Sequence, residues 1–439
     1  MSSPDLQPLE MRAYPSRGLT GTVVAPGDKS ISHRAIIFGG LANGITTIEG
    51  LLEGDDVLRS AAAMRAFGCE VERDNGRWQV RGSAWKSPEN PVYFGNSGTG
   101  CRLVMGAAAG AAVTASFAGD ASLRARPMDR ILEPLSAMGA KVISQEGRLP
   151  CQVDGKNLRA IEYTLPKPSA QIKSAVLLAG LGANGETIIH EPIICRDHTE
   201  RMLASFGADI VVEPENSGRC IKLRGHQELT GCHVDVPGDP SSAAFIVASA
   251  LITEGSMVTV KNVLVNPYRI GFYDTIREMG ADIEFANQRE VCGEPVADIT
   301  VRSSDLKGVE TPPERAASMI DEYPILCVLA AFADGNTHMT GLKELRVKES
   351  DRIAATEAGL NANGVETKSG DDWLTVAGRP GDVTGGGLVK TDHDHRIAMS
   401  FLILGLGAKK MVTIDDRRMI ATSFPTFSAL MTKIGAEVR

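Results

Sequence analysis

The stretch DVLRSAAAMRAFGCEVE, residues 56–72, joins a helix-like run to a glycine and then to a strand-like ending. Gly68 stands where the C-terminus of a helix favours a left-handed residue, and the β-branched Val71 after it is typical of a strand. The same order of helix, glycine and strand returns along the 439 residues. The repeated glycines are Gly68, Gly139, Gly207, Gly280, Gly364 and Gly435. A period of about 70 residues exceeds those of the common helical and leucine-rich repeats and predicts six α/β units.

Each repeat also opens alike, because a polar cluster leads into an apolar helix that is rich in small residues. The openings are PGDKS at 26–30, GNSGT at 95–99, PSAQ at 168–171, PGDPSS at 237–242, IDEYP at 320–324 and TDHDHR at 391–396. Strands such as GITTIEGLL, residues 44–52, lie between the two helices of a unit. A helix-strand-helix-strand unit of this size cannot bury both faces of its helices alone. We therefore expect the units to cluster three and three, with helices inside and sheets outside.

The alternative is an ordinary α/β protein whose helices happen to end in glycine. Glycine is a common residue after a helix, so one or two matches would carry no weight. Six matches at nearly equal spacing make coincidence a poor explanation.

Composition and charge exclude several classes of protein. Acidic residues number 54 against 46 Lys plus Arg, which gives a net charge of −8, and aromatic residues make up only 5%. This balance disfavours a nucleic-acid binder, which needs a basic surface and often aromatic stacking. A hydrophobic share of 43% excludes disorder, and no apolar run reaches the length of a membrane span.

The N-terminus and the cysteines predict a cytoplasmic protein. MSSPDLQPLE, residues 1–10, lacks the basic start and apolar core of a secretory signal. The 8 cysteines are scattered singly, without a Cys-x-x-Cys pair, so disulfides and a structural zinc site are disfavoured.

The openings place polar and charged side chains at helix N-termini, where backbone N–H groups and the helix dipole bind anions. In PGDKSISHR, Arg34 follows Ser30 by four residues and so shares its helix face. The glycine-rich 95–100 lets backbone approach a ligand closely, although it matches neither a Walker A loop nor a dinucleotide fingerprint. A single basic residue at such a place is usually a solvated surface charge. Recurrence at equivalent places indicates that several of them meet in one cleft.

Asp321, Glu322 and Glu349 are the acidic candidates for that cleft. A carboxylate among cations has a lowered pKa and acts as a base unless burial opposes this. For Asp321 an equally good interpretation is an N-cap of the apolar helix that follows.

Two other patterns are weaker candidates. His393-x-His395 resembles a metal-binding pair, but no cysteine cluster lies near it and Arg396 follows directly. Cys101 and Cys327 could act as nucleophiles, but Cys327 lies inside an apolar helix and is expected in the core.

At these motifs the sequence resembles the 5-enolpyruvylshikimate-3-phosphate synthase family of 3-phosphoshikimate 1-carboxyvinyltransferases, and its wording resembles the divergent class that includes glyphosate-tolerant members. The resemblance runs from PGDKSISHR to ATSFPTF, nearly the whole chain. The motifs in family order are PGDKSISHRAI, GNSGTGCRL, RPMDR, SAQIKSA, PGDPSSAA, IDEYP, RVKESDR and DHR. The implied fold is a two-domain inside-out α/β barrel with three repeats in each domain. The first domain would comprise residues 1–22 and 237–439 and the second residues 23–236, with the active site in the cleft between them.

The resemblance implies transfer of the carboxyvinyl group of phosphoenolpyruvate to the 5-hydroxyl of shikimate 3-phosphate, with release of phosphate. It implies neither a metal nor an organic cofactor, and its partners are these small anionic substrates rather than nucleic acid or membrane. We expect a monomer whose domains close on the ligands. One alternative is enolpyruvyl transfer to a UDP-sugar, but the mobile-loop Cys-Arg-Pro and the Lys-Asn motif of that sister enzyme are lacking. A second is a non-catalytic ligand-binding relative, which the complete set of charged motif residues disfavours.

The resemblance also implies roles for individual residues. Asp321 would accept the proton of the 5-hydroxyl, and Glu349, assisted by Lys29, would move the proton on and off the methylene carbon. The residues implied for shikimate 3-phosphate are Lys29, Ser30, Arg34, Ser169, Gln171, Arg196, Asp321 and Lys348. The residues implied for phosphoenolpyruvate are Lys29, Gly98, Arg126, Gln171, Arg352 and Arg396.

Two positions deserve comparison with the family pattern. Many members carry a Lys just before the final Phe-Pro turn, where this chain has Ser423, so no role is assigned there. Glyphosate tolerance is associated with Ala at the position of Gly98, and this chain keeps Gly. We therefore predict at least partial glyphosate sensitivity.

Overall fold

The six repeated glycines each follow a helix and adopt positive φ in the computed structural model, which describes residues 8–439. Their φ angles lie between 81° and 100°. In each repeat the residue after the glycine donates its N–H to the carbonyl five positions earlier, as Cys69 does to Met64 at 3.0 Å and Ala436 to Met431 at 2.9 Å. This is the Schellman arrangement, and it confirms the predicted helix ends. The interpretation of the N-terminal stretch falls largely on residues 1–7, which lie outside the described residues.

The helices and strands alternate along the chain in the predicted manner. The α-helices are α1 Lys29–Leu41, α2 Asp55–Ala66, α3 Gly98–Gly110, α4 Ala121–Ala125, α5 Asp129–Ala137, α6 Ala170–Gly180, α7 His198–Ser205, α8 Pro240–Ile252, α9 Gly271–Glu278, α10 Ala316–Met319, α11 Tyr323–Ala331, α12 Arg352–Ala362, α13 His395–Gly407 and α14 Phe427–Lys433. Short 3₁₀ helices span Pro313–Arg315, Lys343–Val347 and Arg418–Thr422.

The described residues contain 23 strands, and ten of them form five hairpins with tight turns. The strands are β1 Met11–Ala13, β2 Thr20–Val24, β3 Ile45–Glu49, β4 Glu70–Asp74, β5 Arg77–Arg81, β6 Val92–Tyr93, β7 Thr114–Ala118, β8 Lys141–Gln145, β9 Arg148–Asp154, β10 Glu162–Thr164, β11 Glu186–Glu191, β12 Ile210–Glu215, β13 Gly218–Arg224, β14 His233–Asp235, β15 Met257–Leu264, β16 Asp282–Val291, β17 Glu294–Arg302, β18 Glu310–Thr311, β19 Gly335–Thr340, β20 Thr367–Ser369, β21 Trp373–Gly378, β22 Leu388–Val389 and β23 Val412–Ile414. The hairpins are β4/β5, β8/β9, β12/β13, β16/β17 and β20/β21.

Each of the six polar openings lies directly before or at the start of a helix, namely α1, α3, α6, α8, α11 and α13. Carboxylate or hydroxyl side chains cap several of these helices, which satisfies backbone N–H groups of the first turn. Asp28 accepts from Ile31 N at 2.8 Å and Asp394 accepts from Arg396 N at 2.9 Å. The openings are therefore the helix N-termini that the sequence predicted.

The strands of the described residues form mixed sheets, one for each repeat. Five sheets have four strands, in the orders β14-β3-β5-β4, β6-β7-β9-β8, β10-β11-β13-β12, β16-β17-β15-β2 and β18-β19-β21-β20, and one has three, β1-β23-β22. Each sheet contains one parallel pair, such as β14 with β3 and β10 with β11. Burial alternates along strands such as β5 and β21, so one sheet face packs on the core and the other faces solvent.

The chain divides by its internal contacts into two compact units. One comprises the chain up to Pro26 together with Gly238–Arg289 and Pro295–Arg439, and the other comprises Gly27–Pro237 with Glu290–Glu294. We call them the discontinuous unit and the central unit. In the discontinuous unit β2 pairs with β15 over Val23 and Val24.

Apolar helices form the core of each unit. In the discontinuous unit α8, α11 and α13 contact one another, and almost every residue of these helices is buried. In the central unit α3 packs against α6, α1 and α2. A helix that is apolar all round can be stable only inside a core. Among the described residues, none of the helices has the length and apolarity needed to cross a bilayer.

Candidate active site

The first turn of α1 opens the candidate site in the central unit. Asp28, which is fully buried, caps the helix, so Lys29 and Ser30 follow at a fixed place in the first turn. Lys29 Nζ forms an ion pair with Asp56 of α2. The Lys29 side chain remains 19% exposed, so an anion can reach its ammonium group.

Arg34, one turn further along α1, is buried and held by oxygen acceptors on three sides. Its Nε donates to Thr199 Oγ1 at 2.8 Å, its Nη2 to Ser174 Oγ at 2.7 Å and its Nη1 to the Ser30 carbonyl at 2.9 Å. Burial lowers the pKa of Arg34 to about 10, and the charge of Glu200 opposes this lowering. The guanidinium therefore remains a cation at neutral pH in a fixed orientation.

Arg196 precedes α7 and lies close enough to Arg34 for its charge to lower the Arg34 pKa further. Thr199, in the first turn of α7, contacts Ser174 of α6 at 2.6 Å between the two hydroxyl oxygens. The second turn of α1 and the first turn of α7 thus meet beside α6.

A buried ion network supports this junction of helices. Lys173 Nζ lies 2.8 Å from Glu191 Oε1 and 2.8 Å from Glu200 Oε1, and these side chains are almost fully buried. Arg219 completes the network through Glu191 Oε2 at 2.6 Å. Burial lowers the pKa of Lys173, but Glu200 and Glu191 outweigh it and raise the pKa above its usual value. The network fixes α6 against α7 and β11.

The first turn of α3 carries the glycine-rich loop. A Cβ at Gly98 would lie 3.1 Å from Nη1 of both Arg102 and Arg126, so glycine leaves room for two guanidinium groups. Arg126 donates to Asn96 Oδ1 and lies at the end of α4. Arg102 donates to Gln171 Oε1 at 2.9 Å, and Gln171 Nε2 donates to Thr99 Oγ1 at 2.9 Å.

These contacts bring the first turns of α1, α3 and α6 together. Ser169 caps α6 by accepting from Ile172 N, and a Cβ at Gly100 would lie 3.3 Å from the His33 ring of α1. We name Lys29, Arg34, Arg102, Arg126 and Arg196 the cationic group. Several helix N-termini together with these side chains form a site suited to phosphate and carboxylate ligands.

In the discontinuous unit the central side chain is Arg352, the first residue of α12, which is only 1% exposed. Its Nε donates to Asp394 Oδ2 at 2.7 Å, its Nη2 to Glu349 Oε2 at 2.6 Å and its Nη1 to Asp321 Oδ1 at 3.3 Å. Burial lowers the pKa of Arg352, but these carboxylates raise it far above its usual value. Burial of the Asp394 carboxyl acts to raise its pKa, but the charge of Arg352 outweighs this effect and lowers the pKa overall. The Asp394 carboxyl therefore stays ionised.

Asp321 lies at the centre of further contacts in this unit. Lys348 Nζ donates to Asp321 Oδ1 at 3.4 Å, and Arg396 Nη1 donates to the Asp321 carbonyl at 3.1 Å. Arg396 also lies 3.6 Å from the buried carboxylate of Glu322. We name Asp321, Lys348, Glu349, Arg352, Asp394 and Arg396 the acid–base group. It combines carboxylates that can accept or donate protons with cations that fix their positions.

The structure decides between the two interpretations of Asp321. Helix α11 begins at Tyr323, its N-cap position is Glu322, and no side chain caps its backbone. The Asp321 carboxylate instead accepts from Lys348 and Arg352.

The sequence-predicted residues thus fall into two sets, one in each unit. Lys29, Ser30, Arg34, Gly98, Arg126, Ser169, Gln171 and Arg196 belong to the central unit, and Asp321, Lys348, Glu349, Arg352 and Arg396 belong to the discontinuous unit. In the discontinuous unit contacts with Asp321 or Arg352 link all five. In the central unit Arg34 donates to the Ser30 carbonyl, and Gln171 joins α3 through Arg102 and Thr99.

Sequence reasoning missed several side chains that hold the predicted ones. Arg102, one turn after Gly98 in GNSGTGCRL, contacts Gln171, and Asp394 in TDHDHR contacts Arg352. Both stand inside motifs that had already been singled out, so their position was a usable signal. Thr199, which accepts from Arg34, had no such signal because 165 residues separate the pair.

The cysteine nucleophiles and the His393-x-His395 metal pair gain no support from the described residues. Burial raises the pKa of the Cys101 and Cys327 thiols well above its usual range, and a thiol that stays protonated is a poor nucleophile. Within residues 8–439, the groups of three side chains suited to a metal are His190 with Glu215 and Cys220, and Asp197 with His198 and Glu294. The His393-x-His395 pair is in neither group.

Ser423 is buried after the 3₁₀ helix Arg418–Thr422, where Arg418 binds Asp416 with 2.8 Å between Nε and Oδ2.

The chain is similar over nearly its whole length to one family of enzymes. The family model for EPSP synthase (3-phosphoshikimate 1-carboxyvinyltransferase) matches residues 14–431. A 3-phosphoshikimate 1-carboxyvinyltransferase of Parvibaculum lavamentivorans is 58% identical over 433 residues, which cover 97% of this chain and 96% of that protein. The enzyme of the same name from Caulobacter vibrioides is 55% identical and covers 97% of this chain and 98% of its own length. A solved structure of EPSP synthase from Acinetobacter baumannii superimposes with a TM-score of 0.86 at 42% identity, covering 98% of this chain and 99% of that one.

We predict that Lys173→Met lowers the free energy of unfolding of the central unit by about 3–5 kcal/mol, because it removes the buried cation that Glu191 and Glu200 share and leaves Arg219 alone to balance both carboxylates. Chemical denaturation measures this loss. Lys222→Met is the matched control, since Lys222 also lies 2.8 Å from a glutamate, Glu213, but on the surface. Little change is expected for the control, and equal losses in both variants would contradict the role of the buried network.

Proposed function

The chain belongs to the EPSP synthase family of 3-phosphoshikimate 1-carboxyvinyltransferases, and we propose that it transfers the carboxyvinyl group of phosphoenolpyruvate to the 5-hydroxyl of shikimate 3-phosphate. Phosphate is the second product. The observation that carries this proposal is that the central unit holds a cationic group beside three helix N-termini and the discontinuous unit holds an acid–base group built around Arg352. Each substrate carries a carboxylate and a phosphate, which explains the number of cations. The transfer itself needs positioned proton donors and acceptors, which explains the carboxylates.

The central unit supplies most of the proposed binding site for shikimate 3-phosphate. Lys29, Ser30 and Arg34 of α1 would hold it together with Ser169 and Gln171 at the start of α6 and Arg196 before α7. The fixed orientation of Arg34 between Thr199 and Ser174 supports this role, because a preorganised guanidinium loses little entropy on binding. Lys348 and Asp321 of the discontinuous unit would complete the site at the 5-hydroxyl.

Phosphoenolpyruvate would be held by guanidinium groups of both units. A Cβ at residue 98 would lie 3.1 Å from Nη1 of Arg126, so Gly98 leaves room beside that guanidinium. Lys29 of α1 and Gln171 of α6 lie on helices that both contact α3. Arg352 and Arg396 would contribute from the discontinuous unit. Arg352 is already held by three carboxylates, so its charge is balanced and its geometry fixed before the substrate arrives.

Proton transfers at two atoms complete the proposed mechanism. The carboxylate of Asp321 accepts the proton of the 5-hydroxyl while the hydroxyl oxygen attacks C2 of phosphoenolpyruvate. Glu349, assisted by Lys29, donates a proton to the methylene carbon, and the ionised carboxylates stabilise the cationic carbon that forms. Phosphate then leaves with the proton that Asp321 had accepted. Return of a methyl proton to Glu349 restores the double bond in the product, and both carboxyl groups regain their starting protonation.

This mechanism requires the two groups to act on the same substrates. We therefore propose the domain organisation that the family resemblance implies, an inside-out α/β barrel of three repeats in each domain, with residues 1–22 and 237–439 in one and 23–236 in the other. The substrates would bind in the cleft between the domains, and closure of the domains would exclude water. The proposal includes a cytoplasmic monomer that works without metal or organic cofactor.

Phosphate release tests the proposed function directly. We expect the purified chain to release phosphate from phosphoenolpyruvate only when shikimate 3-phosphate is present, because the attacking oxygen belongs to that substrate. A coupled colorimetric phosphate assay measures it, with a UDP-sugar acceptor as the comparison. Release without shikimate 3-phosphate, or release that only the UDP-sugar supports, would overturn the assignment.

We predict that Asp321→Asn lowers kcat by about 10²–10⁴-fold, the range expected for loss of a general base. Asparagine keeps an oxygen that can accept from Lys348 and Arg352, so shikimate 3-phosphate should still bind. Steady-state kinetics and equilibrium binding measure the two quantities. Asp382→Asn, which alters an exposed partner of Lys409, is the control and should leave kcat unchanged. A variant of Asp321 with normal kcat would remove it from the mechanism.

We predict that Gly98→Ala raises KM for phosphoenolpyruvate by about tenfold, because the added methyl group must push two guanidinium groups aside. Glyphosate, a small molecule with phosphonate and carboxylate groups, should inhibit the wild-type chain and inhibit this variant less. Initial-rate kinetics with each substrate varied measure both effects. KM for shikimate 3-phosphate in the same variant is the control and should change little. Wild-type activity that is unaffected by millimolar glyphosate would contradict the prediction.

A further inference from the structure

The turn that joins β16 to β17 belongs to the central unit, although most of both strands belongs to the discontinuous unit. Residues Glu290–Glu294 group with the central unit, whereas the remainder of both strands groups with the discontinuous unit. Cys292 and Gly293 adopt positive φ and reverse the chain, and Glu294 follows with only 1% of its surface exposed. We name residues 290–294 the hairpin tip. A buried carboxylate at the end of a hairpin needs a structural or functional partner.

The partner of Glu294 is the first turn of α7. Its Oε1 lies 2.7 Å from Nδ1 of His198, a side chain that is fully buried. Arg201 adds a second contact, because its Nη1 donates to the Gly293 carbonyl at 2.7 Å. The Nε of Arg201 lies 2.9 Å from Asp197 Oδ2 and 3.9 Å from Glu294 Oε2. The hairpin tip thus holds α7 through both a side chain and the backbone.

The same turn of α7 carries groups of the candidate site. Thr199, adjacent to His198, accepts from Arg34 Nε at 2.8 Å, and Arg196 lies two residues before His198. A shift of this turn would therefore move the acceptor that orients Arg34. Glu294 lies outside the family motifs, and 96 residues separate it from His198 along the chain, so the motifs did not point to this contact.

We propose that Glu294 is a positioning residue for shikimate 3-phosphate, acting through His198 to fix the turn of α7 that orients Arg34 and presents Arg196. The inference rests on the proposed function for the identity of the ligand. In the absence of Glu294, α7 keeps its place in the fold, but its first turn loses its buried anchor. Small displacements of binding groups are costly, because preorganised geometry accounts for much of the binding free energy.

A metal site at this place is a poorer explanation. Asp197, His198 and Glu294 have ligand atoms within 4.8 Å of one another. However, Arg201 contacts Asp197 and Glu294, and Arg219 Nη1 lies 3.8 Å from Asp197 Oδ2. These cations balance the carboxylates and occupy the space around them. The cluster is therefore an anchor built from ion pairs.

The direction in which binding of shikimate 3-phosphate changes when Glu294 is removed distinguishes a positioning role from a purely electrostatic one. Burial lowers the pKa of Arg34, and Glu200, Asp28 and Glu294 are the carboxylates that oppose it, so the field of Glu294 reaches this guanidinium. Removal of that negative charge would by itself strengthen binding of an anion. Weaker binding after removal is expected only if Glu294 acts by holding α7 in place.

The test is equilibrium binding of shikimate 3-phosphate by titration calorimetry, without phosphoenolpyruvate, followed by steady-state kinetics. Glu294→Ala should raise Kd and KM for shikimate 3-phosphate about tenfold, while kcat and KM for phosphoenolpyruvate change much less. Glu294→Gln keeps the size and one acceptor oxygen, so it should fold normally and give a smaller increase in Kd. Glu290→Ala is the matched control, because Glu290 is an exposed carboxylate in the same hairpin tip, and it should bind as the wild type does.

A double variant checks that the effect passes through His198. Glu294→Ala combined with His198→Gln should bind no more weakly than the weaker single variant, since each substitution disrupts the contact between Glu294 and His198. Unchanged or tighter binding by Glu294→Ala and Glu294→Gln would overturn the inference, as would additive losses. If the wild-type chain itself fails to bind shikimate 3-phosphate, the proposed function fails and the inference fails with it. The wild-type titration therefore distinguishes the two failures.

Discussion

A cation in a protein interior requires acceptors that are fixed in place, and this constraint organises both units of the chain. Arg352 is almost completely buried and has a carboxylate on each of three donor positions. Arg34 meets the same requirement with two hydroxyls and a carbonyl, and Lys173 meets it with two glutamates. A buried charge without such partners would be expensive. The acceptors therefore fix the first turns of the helices from which the functional side chains project.

The two units carry different parts of the chemistry. The central unit contributes Lys, Arg and the N-termini of α1, α3 and α6, which suit anionic ligands. The discontinuous unit contributes Asp321 and Glu349 together with cations that orient them. The net charge of −8 describes the chain as a whole but does not predict the charge of the candidate site, because cations are concentrated locally at helix N-termini. The discontinuous unit's own group contains as many carboxylates as cations, so the positive charge expected there is already balanced.

The repeat explains why so little sequence information specifies so much of the fold. Each repeat opens at a helix N-terminus, which a side chain caps in several repeats, and ends its second helix with a left-handed glycine. Both signals are local. Within the central unit this repetition brings the starts of α1, α3 and α6 together, so residues of three repeats meet there. The hairpin tip shows that the repeats are not independent, since a turn from one repeat anchors α7 of another.

The sequence by itself determined the helix starts and ends, the six-unit period and the motif residues, because capping and periodicity depend on neighbours within a few positions. Only the tertiary structure decided which side chains hold them. Asp321 could have been an N-cap until the structure showed its carboxylate on Lys348 and Arg352. Glu294 and His198 carry no local signal at all, since their pairing spans 96 residues. Contacts of that kind arise from the packing of whole elements, and packing depends on shape and burial that no short stretch of sequence encodes.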